Sequence, residues 1–170
     1  MGSAVVRPYR DADLEGAAAA LVAVHATDGY PVEGVADPEA WIRSADVRAA
    51  WVGDLEGKII GHVSVMRPRG EDAVALWVEQ SGDDEQHVAV LARLFVLQEA
   101  RQHALGAQLM QAAMSWAQEQ GIRLVLDVMA KDAAAIRLYQ RLGWTKIGEA
   151  THLYGEGQLM DAVCFVAPPA

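Results

Sequence analysis

Two stretches of the sequence are almost free of polar residues: Val88–Val96, broken only by Arg93, and residues 124–129, broken only by Asp127. A strand with one wet face alternates apolar and polar side chains, so continuous apolar runs of this length read as central strands covered on both sides. Between them, about Leu105–Gln120 sets Leu105, Leu109, Ala112, Ala113 and Trp116 along one helical face and is stopped by Gly121. Strand, helix and strand of these lengths make a right-handed parallel crossover, since parallel neighbours cannot be joined by a tight turn. The order is therefore mixed α/β, with the crossover near the centre of the chain.

The flanking segments supply the remaining elements. A short strand at residues 4–7 leads into a helix that Asp11 or Asp13 can cap and that runs to about His25. Leu14, Ala18, Leu21 and Val24 form its apolar stripe, and Gly29 and Pro31 end it. Asp37-Pro38-Glu39 reads as an N-cap followed by proline in the first turn, opening a second helix to about Ala49. Residues 51–54, the turn Glu56-Gly57-Lys58 and residues 59–66 predict a hairpin whose second strand alternates Ile59, Gly61, Val63 and Val65 against Ile60, His62, Ser64 and Met66. Residues 72–80 are apolar at helical spacing, and residues 81–86 form a polar turn. A further helix at about residues 133–142 ends at Gly143, and strands at residues 145–151 and 159–166 follow. No linker rich in Ser, Gly or Pro divides the 170 residues and no repeat is present, so residues 1–170 are expected to form a single domain.

Composition narrows the function classes. Hydrophobic residues are 52% of the chain, yet no run approaches the roughly 20 apolar residues of a membrane span, so no membrane partner is expected. A net charge of -9 argues against a nucleic-acid surface, which needs clustered Lys and Arg, and is compatible with an amine-bearing partner. Met1-Gly2-Ser3 lacks a signal-peptide pattern, and Val6 stands where a myristoylation motif has Ser or Thr. The single cysteine, Cys164, lies in an apolar stretch and reads as a buried small hydrophobe, in keeping with a reducing cytoplasm. His25, His87 and His152 form no metal-ligand spacing with Cys164, so no metal is expected, and no Ser-His-Asp arrangement fits the order of elements.

The turn that joins the first apolar strand to its helix, Arg101-Gln102-His103-Ala104-Leu105-Gly106-Ala107, has the chemistry of an anion site. First-turn N–H groups have no helical partners and carry the positive end of the helix dipole. Gly106 lets a ligand approach the backbone, and Arg101 and His103 add positive charge at the mouth. Taken alone, a basic residue and a glycine at a helix start more often serve capping and solvation.

A second segment changes the weight of the first. After the next apolar strand comes Asp132-Ala133-Ala134-Ala135-Ile136-Arg137-Leu138-Tyr139-Gln140-Arg141-Leu142-Gly143-Trp144. Together the two segments resemble the GNAT superfamily of N-acetyltransferases. Its first motif, Q/R-x-x-G-x-G/A, is matched by Arg101 and Gly106. Its second, Asn-x-x-Ala-x-x-Leu-Tyr followed by Gly-Phe, is matched by Ala135, Leu138, Tyr139, Gly143 and Trp144. The order of elements agrees over almost the whole chain. The resemblance implies a GNAT-like α/β domain, with a mixed central sheet of about six to seven strands, helices on both faces and a splayed parallel strand pair that binds CoA. Two positions depart from the pattern. Ala104 replaces the first motif glycine, which costs about 1 to 2 kcal/mol if the position needs a positive φ. Asp132 replaces the asparagine; it can accept or cap a helix but cannot donate.

The resemblance further implies acetyl-CoA as co-substrate and an amine-bearing acceptor that attacks the acetyl group directly. Arg101, Gln102, His103, Ala104, Leu105, Gly106, Ala107 and Asp132 would hold the cofactor, with Leu94, Phe95 and Val96 offering backbone groups to the pantetheine arm and the thioester oxygen. Tyr139 would protonate the departing thiolate, as a phenol with an unperturbed pKa of about 10 can. The acceptor site would draw on the segment between the first two helices, residues 68–86 and the loop at residues 154–158, with Tyr30 and Glu79 as lining candidates. The base that frees the amine is sought among Glu79, Asp83, Asp84, Glu85 and His87. The alternative is a catalytically silent acyl-CoA-binding or sensing domain; a P-loop is disfavoured because no Gly-Lys-Ser/Thr follows the turn. The sequence leaves a homodimer open.

Overall fold

A computed structural model describes residues 4–28, 30, 35–154 and 158–169, without the side chains of residues 102, 103, 152–154 and 158. Among the described residues seven strands form one sheet in the order β1-β2-β3-β4-β5-β7-β6. The chain gathers into two compact units, Met1–Met66 with Ala92–Ala113, and Arg67–Leu91 with Met114–Ala170, so that β4 (Val88–Val96) and α4 (Leu105–Gln120) each contribute to both.

In the first unit, β1 (Val5–Pro8) pairs antiparallel with β2 (Val47–Leu55), which forms a hairpin with β3 (Lys58–Met66). The turn is the expected one: Leu55 pairs with Lys58, and Glu56 and Gly57 both take left-handed backbone at φ 51 and 89, as a tight hairpin with native twist requires. A 3-10 turn at Asp11–Asp13 precedes α1 (Leu14–Asp28). Asp13 anchors the start of this helix. It takes two bonds of 2.8 Å from Arg7 and one of 2.8 Å from the Arg10 amide, and Arg7 also reaches Asp54 on β2. The Arg7 guanidinium holds the Asp13 carboxyl below its ordinary range despite its burial. Gly29 and Pro31, expected to end the helix, lie outside the described residues.

The expected second helix is shorter than its signals implied. Asp37 does cap it, accepting from the Ala40 amide, but α2 spans only Pro38–Ile42. Residues 47–50 instead extend β2, where Val47, Ala49 and Ala50 pair with Met66, Val65 and Ser64. Apolar residues spaced for a helix satisfy a strand equally well when a nine-residue partner is available, and tertiary pairing decides.

In the second unit the start of β4 runs parallel to β5 (Arg123–Met129), with Val88, Ala89 and Val90 facing Arg123, Leu124 and Val125. β5 then pairs antiparallel with β7 (Gln158–Val166), which forms a hairpin with β6 (Thr145–Tyr154). Helix α3 (Asp72–Ser81) packs on this part of the sheet and explains the carboxylate in the second apolar run. Asp127 accepts from the Ala73 amide at 3.2 Å, an orphan donor of the first helical turn. Helix α5 (Ala133–Arg141) follows β5.

Two glycines set how closely α4 approaches β2 and β3. A Cβ on Gly53 would stand 2.6 Å from Leu105, and one on Gly61 would stand 2.9 Å from Leu105, 3.1 Å from Leu109 and 3.2 Å from the Phe95 carbonyl. Leu105 and Leu109 are fully buried and cannot swing away. Gly61→Ala is therefore expected to lose about 1 to 3 kcal/mol in urea unfolding by overpacking. An unchanged midpoint would mean that α4 can retreat without cost.

Candidate active site

Strand β4 is irregular where it matters. Arg93 has φ 59, left-handed backbone that a bulky L-residue adopts only under constraint. Ser64 Oγ donates to the Ala92 carbonyl at 3.0 Å, and His62 Nδ1 bonds the Arg93 carbonyl at 2.8 Å. In a regular strand successive carbonyls point to opposite neighbours; here two in a row face β3, which defines a bulge. Beyond it the pattern resumes, for the Leu97 amide donates to the Ile60 carbonyl. Alternation back from Leu97 turns the backbone groups of Leu94 and Val96 away from β3 and those of Phe95 towards it. Of the three residues expected to offer backbone groups, Phe95 is thus committed to β3. Its ring stacks on His62 with centroids 5.2 Å apart, and it is buried, as is Val96; Leu94 is half-buried.

The turn after β4 begins as a 3-10 segment, Gln98–His103, and passes through Ala104 at φ 55 and ψ 28 into α4. The left-handed requirement foreseen for this position is real. The first bond of the helix runs from the Gln108 amide to the Ala104 carbonyl at 3.2 Å, so the amides of Leu105, Gly106 and Ala107 stand ahead of it without helical acceptors. Leu105 is fully buried and pins the turn, while Gly106 and Ala107 are half-buried. Arg101 is folded back: Nε donates to the Val96 carbonyl at 3.2 Å and the guanidinium pairs with Asp28 at the end of α1. Gln102 and His103 lie in the 3-10 segment, and their side chains lie outside the described residues.

Asp132 caps α5, accepting from the Ala135 amide at 3.2 Å, which is the acceptor role left to a carboxylate there. One helical stretch later Tyr139 is buried, its ring 6.2 Å from Trp144 and 6.1 Å from Phe165. Its backbone carbonyl receives the Trp144 amide at 3.0 Å, closing the helix end at Gly143, where φ is 89. Burial, with a smaller contribution from Asp132, pushes the Tyr139 phenol well above its ordinary range and keeps it protonated.

Tyr30 meets Trp41 edge-on at 6.0 Å, and Trp41 in turn lies 6.2 Å from Phe95 with the Arg93 guanidinium 4.7 Å over its ring. The sequence singled out neither Arg93 nor Trp41 for the site: an arginine inside a strand and a tryptophan on a helix carry no local signal that they stack on each other. His62 of β3 faces the core and is fully buried. Glu79 is exposed on α3. Among the base candidates, Asp83 accepts from Trp77 Nε1 and Asp84 from the Gln86 amide, so both serve the turn that carries them. Residues 155–157 of the expected acceptor loop lie outside the described residues. A cavity of about 450 Å³ lined by Asp83, His87, Met114, Arg123, Leu124 and Pro168 sits at the amino ends of β4 and β5. Ligands of parallel strands gather at the carboxyl ends, so this cavity is not assigned to the chemistry. Among the described residues no group of three or more His, Cys, Asp or Glu is arranged to hold a metal ion, and no helix is long and apolar enough to cross a membrane.

With this geometry in view, comparisons with known proteins give a consistent result. The profile of the Acetyltransferase (GNAT) family matches residues 17–144, from within α1 to Trp144. An N-alpha-acetyltransferase from Sulfurisphaera tokodaii is 28% identical over 123 residues, 71% of this chain and 69% of that protein. The solved ribosomal-protein-alanine N-acetyltransferase from Brucella melitensis superposes with a TM-score of 0.74 at 20% identity, covering 95% of this chain and 98% of its own. Arabidopsis thaliana NAA60 in complex with acetyl-CoA gives a TM-score of 0.73 at 19% identity over 96% and 97% of the two chains. Likeness at such identities carries the fold alone. The profile spans β4, its turn, α4 and the Asp132–Trp144 segment, and on it the chain belongs to the acetyltransferase (GNAT) family.

Proposed function

We propose that this chain is an N-acetyltransferase that uses acetyl-CoA to acetylate a primary amine by direct attack. The observation that carries the reading is the path from β4 to α4. A strand turns the backbone groups of Leu94 and Val96 away from β3 and ends at helix amides, those of Leu105, Gly106 and Ala107, that lack acceptors. That order of donors fits an amide-bearing arm followed by phosphates. The Val96 carbonyl is already taken by Arg101, which leaves the Val96 amide as the donor. Arg101, tied to Asp28, acts mainly by shaping the turn, and Gly106 admits the ligand to the backbone.

When bound, acetyl-CoA supplies a thioester carbonyl open to attack by an uncharged amine. The chain contributes oriented backbone donors and excludes water around the reacting atoms. Tyr139 holds its proton at Oη through the neutral range and releases it to the leaving sulfur. Asp132 secures the start of the helix that carries Tyr139. Tyr30, beside Trp41, is assigned to the acceptor, and Glu79, an exposed carboxylate of α3, is kept as a separate candidate for contact with it. The 17–144 match enters both compact units, which supports one working domain over residues 1–170. The lone, buried cysteine supports a cytoplasmic setting, and a homodimer is compatible with this reading.

Three measurements test it. Calorimetric titration with acetyl-CoA should show binding; none at high micromolar concentration would sink the proposal, and binding without CoA thiol release across an amine panel would favour the silent acyl-CoA-binding reading. Tyr139→Phe should lower thiol release about 100-fold while retaining acetyl-CoA binding, and equal rates would remove Tyr139 as the proton donor. Ala104→Gly should raise stability by up to about 1 kcal/mol, the relief of left-handed strain less the entropy of glycine, and should tighten acetyl-CoA binding. A destabilised Ala104→Gly protein would contradict the strain argument.

A further inference from the structure

We propose that His62 and Ser64 are positioning residues of the transfer reaction: from β3, their side chains hold the β4 bulge that aims the backbone groups of Leu94 and Val96. The inference rests on the acetyl-CoA reading of that strand. Its physical core is the pair of successive carbonyls, Ala92 and Arg93, that face β3 together. A regular ladder can serve only every second residue on one side, so side chains must supply the missing donors. Ser64 and His62 are the donors, spaced two apart on one face of β3 and both fully buried.

The histidine is tuned to this task. A carbonyl only accepts, so Nδ1 carries the proton and Nε2 is bare. Nε2 is buried without a partner, as is the hydroxyl of Tyr9, whose ring meets His62 edge-on at 6.3 Å. A residue kept for packing alone would be apolar here, because an unpartnered ring nitrogen is costly to bury. The bond to Arg93 is the gain that offsets it. Burial also lowers the His62 pKa to about 4, which keeps the ring neutral and its Nδ1 proton in place at physiological pH. The bulge is fixed from the other side by the Arg93 side chain, which donates to the Trp41 carbonyl and lies over the Trp41 ring. Phe95, stacked on His62, carries the same constraint to the residue between Leu94 and Val96.

The test compares His62→Phe, His62→Asn and Ser64→Ala with the parent protein. Phenylalanine keeps the stack and removes the donor, asparagine restores an N–H near the Nδ1 position, and Ser64→Ala deletes one oxygen. His62→Phe should lower kcat about 30-fold and Ser64→Ala about fivefold, with the acetyl-CoA Kd changed less than about threefold and His62→Asn recovering most of the loss. Independently of any ligand, hydrogen exchange of residues 92–97 should quicken in His62→Phe and Ser64→Ala while β6 and β7 keep parent rates. Folded variants with parent kcat and parent exchange would overturn the proposal, as would His62→Asn no better than His62→Phe. Should His62→Phe fail to fold, Ser64→Ala carries the decision. A parent protein that neither binds nor turns over acetyl-CoA would defeat the transferase reading instead, and the exchange experiment would still judge the clamp.

Discussion

Backbone groups of β4 between Leu91 and Leu97 cannot be satisfied by a regular ladder, because Arg93 at φ 59 turns two neighbouring carbonyls to the same side. The parallel ladder to β5 is described from Val88 to Val90, and the resumed contact with β3 begins again at Leu97. Between them, at Ala92 and Arg93, side chains of β3 hold the backbone. Such a segment can keep amides unpaired within a sheet, where an ordinary strand would consume them, and a ligand with amides of its own is the natural complement. The helix that follows repeats the situation at its first turn, where the amides of Leu105, Gly106 and Ala107 stand ahead of the first helical bond.

The charged residues near this path are used for structure before chemistry. Arg101 bridges the Val96 carbonyl and Asp28, tying the turn to the end of α1. Arg7 binds Asp13 through two nitrogens and reaches Asp54, tying the start of α1 to β1 and β2. Arg101–Asp28 and Arg7–Asp54 join residues 73 and 47 positions apart, and the two arginines each fix an end of α1, the helix from which the Tyr30 segment departs. An anion site can then rely on backbone dipoles, which stay in place without a neutralising partner, and the chain can carry a net charge of -9 without repelling phosphate at this point.

How much of this was legible in the sequence depended on whether the cause was local. The apolar runs and the 105–120 periodicity gave β4, β5 and α4 nearly to the residue, since burial on both faces leaves no other pattern. Asp132 as a helix cap and Ala104 as a left-handed position followed from their places in a motif. The sequence overextends the second helix because residues 43–49 suit either state and pairing with β3 decides between them. The bulge could not be read: arginine gives no hint of positive φ, and its two supports, His62 and Ser64, look like the inward positions of an ordinary alternating strand. Arg101 reads from the sequence as positive charge at the mouth of the turn, whereas its acid, Asp28, lies 73 positions away.

Among the groups able to take part covalently or as acids, burial sorts the roles. Cys164 is fully buried and its thiol is pushed up to about 12, chiefly by desolvation, so no thiolate exists to accept an acetyl group. Tyr139, proposed above as the proton donor, experiences the same effect with the opposite consequence, because a donor is useful only while protonated. A weaker acid would be a poor donor to a sulfur in water. In a dry site, however, desolvation raises the proton affinity of any nearby anion, the departing thiolate included, so the two affinities rise together and transfer between them stays balanced. The same burial that silences the cysteine therefore suits the tyrosine to the role proposed for it, and the proposed direct transfer to the amine needs no nucleophile from the chain.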